Sequence, residues 1–359
     1  MPRNRYARIA LFLAAVVAVQ LATLVAGKVF FLTQLTMAAY YTMVAVGLSV
    51  LMGYAGQISL GHAAFFAIGG YASAVLTTAN LAELRGRALV DALERAHLLS
   101  ARTDLYGAEV LALHPWAAFL AAIGLAVAVA FAVGVPVLKL KGHYLAMATL
   151  GFGTIVYSVC LGTTRLGAAD GLGSVPPFPL AFGLSVGGGR DARISNFYVA
   201  WGLVAVALLV LTNLVDSRVG RALRAIHGAE DAAGAMGVDV ARYKLKTFVL
   251  SAALAAVGGA FLTHYNAGIG PGEAAIMKSV RYVAIVAVGG MGSVWGTVAT
   301  SAILNFLSLR GYFGTLDDAV FGAVLVAVML FSPDGVLRLD PRAALAALAR
   351  RRGVPEAPP

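Results

Sequence analysis

The chain has 359 residues, 60% hydrophobic and only 12% charged, against about a quarter charged in soluble domains. No soluble fold hides that much apolar surface, so the surrounding solvent is lipid. The single cysteine, Cys160, excludes an internal disulfide, and basic loops beside anionic lipid account for the net charge of +10 without any nucleic acid partner.

A membrane span needs about 20 apolar residues, because only a helix satisfies its own backbone in hydrocarbon. Arg3, Arg5 and Arg8 precede the first apolar run, 9–26, in the manner of a signal peptide. The length of that run and the runs behind it predict an uncleaved anchor over 1–29. Further spans are predicted at 30–52, 62–79, 115–135, 144–163, 196–215, 247–266, 293–309 and 317–332. An apolar piece at 281–290 is shorter, either a half-helix or a short tilted crossing; a re-entrant hairpin over 281–309 keeps the same parity. The expected fold is all-α, a polytopic membrane protein of about ten segments with some helices glycine-broken or re-entrant.

With the N-terminus inside, 16 of the 27 Lys and Arg residues fall on inside segments. The bias is sharpest at 217–246, which holds Arg218, Arg221, Arg224, Arg242, Lys244 and Lys246, and in a basic tail over 338–359. Both termini and the 217–246 loop are therefore expected in the cytoplasm. An outside insert at 80–113 carries Leu81, Leu84, Leu89, Leu93 and Leu99, which predicts an amphipathic surface helix. Residues 164–195, rich in Gly and Pro, read as an ordered outside loop, whereas the 217–246 pattern is helical.

The predicted spans hold almost no ionisable side chain, and no Asp or Glu lies mid-span. A buried ion costs about 2.5–3.5 kcal/mol on insertion scales, so its absence argues against proton-coupled transport. Lys246-Thr247 and Lys278-Ser279 are the Lys-Ser/Thr pairs, and neither follows the glycine of a P-loop. No metal-ligand cluster stands out, and no cofactor is expected on this chain. Either energy comes from an ATPase on another chain, or the protein is a passive channel for a small neutral solute such as urea.

Two stretches carry the functional reading. The first is GYAGQISLGHAAFFAIGGY at 53–71, with Gly53, Gly56 and Gly61 breaking an apolar region beside Gln57 and Ser59. A later break holds Gly289, Gly290 and Gly292, and both begin with Gly-x-x-Gly, as two pseudo-equivalent halves would. Such breaks either pack helices closely or leave backbone groups free beside a solute pathway. His62 reads as a polar helix-end residue, and Gln57 and Ser59 as the better pathway candidates. The second stretch lies in the long inside loop, where Asp231, Ala232, Ala233 and Gly237 form D-A-A-x-x-x-G with Glu230 beside them.

That loop resembles the coupling loop of ABC importer permeases, whose motif is E-A-A-x-x-x-G. Asp stands here for the leading Glu, and the hydrophobic-x-Leu-Pro tail is missing. Together with GHYLAMATLGFGTIV at 142–156, GAADGLGSVP at 167–176, ALRAIHGAEDAAGAMGVDVARYKLKTFVLSA at 222–252 and VGGMGSVWGTV at 288–298, the chain resembles the branched-chain amino acid permease family, the LivH/LivM type and within it the LivM branch. The resemblance runs over a permease domain at 30–337 and does not include the 80–113 insert. It implies a permease subunit of the bacterial inner membrane working by alternating access. The implied partners are a sister permease, two ATP-binding subunits that use the ATP, and a periplasmic substrate-binding protein. Members for urea or short amides would share these motifs. The resemblance also implies roles within the loop. Ala232 and Ala233 would give a docking helix its small face, Gly237 would end that helix, and Glu230 and Asp231 would be rim charges toward the ATPase.

Overall fold

The computed structural model describes residues 3–331 apart from 83, 84, 86, 104–108 and 141. The tail expected at 338–359 lies outside the described residues. Among them run thirteen helices: α1 (Arg3–Val25), α2 (Phe31–Ala55), α3 (His62–Thr78), α4 (Ala88–Arg95), α5 (Pro115–Val137), α6 (His143–Gly162), α7 (Arg193–Asp216), α8 (Arg218–Gly228), α9 (Glu230–Ala235), α10 (Val240–Tyr265), α11 (Ile276–Gly289), α12 (Val294–Leu309) and α13 (Asp317–Phe331). Among the described residues the strands form two small antiparallel hairpins, β1 (Leu99–Thr103) with β2 (Glu109–Leu113), and β3 (Phe178–Pro179) with β4 (Ser185–Val186). The chain is an all-α polytopic membrane protein. Each of the ten expected segments coincides with a helix, and α1, α2, α5, α6, α7 and α10 are long and apolar enough to cross a membrane on their own.

Helix boundaries follow local chemistry. The side chains of Ser217, Asp239 and Ser293 accept from the amides of Val219, Arg242 and Gly296, capping α8, α10 and α12. Pro115 opens α5, where its missing N–H is harmless. At the other end of α2, Gly56 takes φ +67°, and the Gln57 amide reaches back to the Leu51 carbonyl.

The core is α2 held between α10, α7 and α12, with α3 against α10. Tails of lipid are as apolar as leucine, so helix association here depends on close packing by small residues. Gly258 and Gly259 of α10 provide it on two sides. A Cβ on Gly258 would lie 2.6 Å from the Tyr40 carbonyl of α2, and one on Gly259 would lie within 2 Å of the Phe66 carbonyl of α3. The pairings Tyr40–Gly258 and Gly47–Ser251 run α2 antiparallel to α10; Gly69–Ala256 and Ser73–His264 run α3 parallel to it.

Arg8, Tyr54, Asp216 and Ser293 line one cavity of about 190 Å3. The start of α1, the ends of α2 and α7 and the start of α12 therefore share one face of the bundle. At the far end of α2, the Arg310 guanidinium after α12 stands 4.8 Å from the Phe31 ring. The α11–α12 pair packs as a hairpin, because a Cβ on Gly296 would fall 2.0 Å from the Gly289 carbonyl.

The 80–113 insert departs from expectation. Among its described residues the α-helix is the eight residues of α4, and Leu99 opens the β1–β2 hairpin instead of continuing the helix. The leucines thus do not share one helical face. Leu84 lies outside the described residues. Five cross-strand pairs from Leu99–Leu113 to Thr103–Glu109 win over a longer helix.

Candidate functional site

The two glycine breaks, 238 residues apart, meet. A Cβ on Gly53 would sit 1.5 Å from the Met291 carbonyl oxygen and 2.9 Å from the Gly292 nitrogen. The Tyr54 hydroxyl donates to the Gly292 carbonyl at 2.9 Å. Gly53 is a place of backbone-to-backbone approach that no side chain fits. Gly290 ends α11 at φ +90°, and Gly289 packs on Thr297 of α12.

Beyond Gly56 the chain runs without helix to Gly61 and then enters α3. This link is pinned on α6. The Leu60 amide donates to Thr149 Oγ1 at 3.0 Å, and a Cβ on Gly61 would lie 2.7 Å from the Thr149 carbonyl. Ser59, expected beside the pathway, is buried and spent on the break: its hydroxyl is 3.0 Å from His62 Nδ1. His62 Nε2 is 2.7 Å from Ser251 Oγ, so this side chain ties the break to α10 as a helix-start residue. Gln57 is also buried, and among the described residues both polar atoms of its amide lack a hydrogen-bond partner. The link side chain that reaches the surface is Ile58.

The basic loop folds as α8, α9 and the first turns of α10. Gly237 takes φ +84° just after α9; its amide donates to the Gly234 carbonyl and the Val238 amide to the Ala233 carbonyl. This two-bond closure is the Schellman stop, and glycine is the residue that adopts it without strain. Two features differ from the expected coupling surface. Ala233 does not point outward: it is buried against the cluster of Ala55, Leu223 and Ile226. The outward residues are Ala232, Ala235 and Met236, spaced three and four apart on one helical face, with Met236 85% exposed. Glu230 is not a free rim charge either. It pairs with Lys244 Nζ at 2.5 Å, and that lysine side chain is 7% exposed. Asp231 is exposed and has an interaction of its own.

The loop and the first break are in contact. A Cβ on Gly56 would stand 3.0 Å from His227 Nδ1 of α8, while Ala233 of α9 shares a cluster with Ala55. The surface element thus sits on the point where α2 loses its helix. Residues 30–329 match the profile of the family described as branched-chain amino acid transport system / permease component. The chain belongs to that family. Two curated relatives named high-affinity branched-chain amino acid transport system permease protein LivM are similar to the permease. The Escherichia coli protein is 31% identical and the Salmonella typhimurium protein 30%, each match covering 84% of this chain and 68% of the relative. The Salmonella typhimurium LivH permease is 26% identical over 84% of this chain and 92% of its own length. No solved structure matches the permease.

Reading span by span missed two features of the permease. One is Met236, which the D-A-A-x-x-x-G pattern passes over although it is the large apolar side chain on the outward face. The other is an ion pair of Glu273 and Lys278, placed between predicted spans by the sequence and inside the bundle by the fold. The signal available was PGEAAIMK, in which two opposite charges flank a short apolar run. Among the described residues no group of His, Cys, Asp and Glu is arranged to hold a metal ion.

Proposed function

We propose that this chain is one permease subunit of an ATP-driven importer that carries branched-chain amino acids across a bacterial inner membrane. The observation that carries the reading is the seat of α8 and α9 on the broken end of α2, with His227 against Gly56 and Ala233 against Ala55. Movement imposed on this surface element reaches the break through close-packed groups, which shift as units. A passive channel has no use for such a lever. The names of the similar LivM and LivH proteins support the solute class.

ATP hydrolysis is assigned to two separate ATP-binding subunits, since the sequence has no P-loop. Their contact is the outward face of α9, Ala232, Ala235 and Met236. A sister permease completes the pathway, and a periplasmic binding protein delivers the solute and does most of the selecting. The face bearing α8 and α9 is cytoplasmic, as the arginines of 217–246 favour.

Reconstitution tests the reading. With the sister permease, ATPases, binding protein and ATP, liposomes are expected to concentrate leucine. The lone chain is expected to concentrate none with ATP, a proton gradient or a sodium gradient. Uphill uptake by the lone chain overturns the proposal.

A further inference from the structure

Between α2, α3 and the start of α11 lies a charged and phenolic cluster that the coupling scheme leaves unused. Glu273 stands in the single-turn helix Pro271–Ala274 and Lys278 at the start of α11. Lys278 Nζ lies 3.2 and 3.3 Å from the two Glu273 carboxylate oxygens. The Tyr41 hydroxyl donates to Glu273 Oε1 at 3.0 Å and accepts from Lys278 Nζ at 3.1 Å. The ammonium also stands 4.5 Å from the centre of the Tyr41 ring. Tyr71 and Tyr282 are buried, and among the described residues their hydroxyls have no hydrogen-bond partner. The Tyr282 ring stands 6.4 Å from that of Tyr41, and Tyr71 shares an apolar cluster with Ala274 beside Glu273.

The position is unusual for charge. At 1.5 Å per residue, Tyr41 is about 15 Å along α2 from Phe31 and about 21 Å from Ala55. Ions inside a bundle are costly and persist in pairs that serve a solute path or a structural tie. A tie is best sealed. Here the lysine and glutamate side chains keep 24% and 20% exposure, and Met277 between them is exposed. The pair is also next to the first break, because the Ala63 amide of α3 donates to Ser279 Oγ.

We infer that Glu273 and Lys278 form a binding station for the zwitterionic end of an amino acid. The solute ammonium replaces Lys278 at the Glu273 carboxylate, and the solute carboxylate replaces Glu273 at the Lys278 ammonium. Both pairs are neutral overall, so the exchange leaves the charge of the bundle unchanged. The free Tyr71 and Tyr282 hydroxyls supply further hydrogen bonds. This rests on the importer reading and adds to it the group recognised: the α-amino and α-carboxylate ends that all amino acids share, rather than the branched side chain.

The test uses the full complex in liposomes, with leucine-loaded binding protein at saturation, after co-purification confirms assembly. Glu273→Gln and Lys278→Met are each expected to lower maximal leucine uptake at least tenfold. The reciprocal Glu273→Lys/Lys278→Glu variant restores an ion pair with its polarity reversed, and uptake is expected to stay low. Rescue by the reversed pair would mean a structural tie and overturns the inference, as does normal uptake in either single variant. If the charge variants do not assemble, Tyr71→Phe and Tyr282→Phe decide, since each removes only an unpartnered hydroxyl. A two- to fivefold loss in uptake is expected there, and unchanged uptake in both overturns the inference. Should the wild-type complex itself move no leucine, the importer reading falls and this inference with it; normal wild-type uptake with unaffected variants sinks the inference alone.

Discussion

At Gly53 a single added carbon would overlap the backbone of Met291, whereas Gly151 on α6 faces open space. Gly53→Ala is therefore expected to push α2 away from the 290–293 turn and lower stability by about 1–3 kcal/mol or more, the usual range for overpacking. Gly151→Ala is expected to change it by less than about 0.5 kcal/mol. Thermal unfolding of the purified permease checks both, and equal melting temperatures would remove the close approach from the argument. Glu230 supplies a second residue-level case. Its removal leaves the nearly buried Lys244 ammonium without its partner. Breaking a fully buried pair costs about 3–5 kcal/mol. The glutamate is one-third exposed, so solvent screens part of that and about 1–3 kcal/mol is expected for Glu230→Ala. Adding Lys244→Met should recover most of the loss. A double variant no better than the single one would show that the pair is not the cause.

Helices α8 and α9 divide their residues between two jobs. Leu223, Ile226 and Ala233 face the end of α2, and Ala232, Ala235 and Met236 face outward. The two sets predict separable defects. Ala233→Trp is expected to destabilise the chain itself, because the tryptophan must enter the cluster around Ala55. Met236→Asp is expected to leave melting unchanged and to abolish co-purification of the ATP-binding subunits, since it places a charge at the centre of the proposed apolar contact. Retained co-purification in Met236→Asp would move the contact elsewhere. Gly237→Val is a milder case. Its Cβ would meet nothing within 4 Å, so the cost is the strain of φ +84° alone, about 1–2 kcal/mol for a non-glycine residue.

For the whole molecule, the shared cavity of Arg8, Tyr54, Asp216 and Ser293 sets which ends lie together. Ser217 follows Asp216 directly and Ala241 begins α10 beside α8, so both belong to that face. Ser185 lies opposite, in the β3–β4 hairpin, whose Phe178 packs edge-on against His264 at the other end of α10. In a Cys160→Ala background, single cysteines at Ser217 and Ala241 are expected to resist a membrane-impermeant thiol reagent on whole cells. A cysteine at Ser185 is expected to react. Labelling of both sets would break the two-face arrangement, and the reverse pattern would invert it.

The ten apolar segments and the helical character of the 217–246 loop were legible from the chain, whereas the early starts of α10 at Val240 and α11 at Ile276 and the short α4 of the insert were not. Hydrocarbon forces every span to close its own hydrogen bonds, and that constraint acts locally on composition. The stop at Gly237 was readable for the same reason, since a left-handed residue after a short helix is a local demand. Only the tertiary structure decided what each glycine touches. Gly53 meets Met291, Gly56 meets His227 and Gly61 meets Thr149, across separations of 88 residues and more that no periodicity encodes. The inward turn of Ala233 and the pairing of Glu230 were hidden likewise. A six-residue helix of small residues has no apolar stripe to declare its buried side, so the side is set by where Ala55 and Ile226 happen to stand. Glu273 and Lys278 were misplaced most. Spans are counted along the chain, but depth is set by packing, and α11 begins beside the middle of α2 instead of at its end.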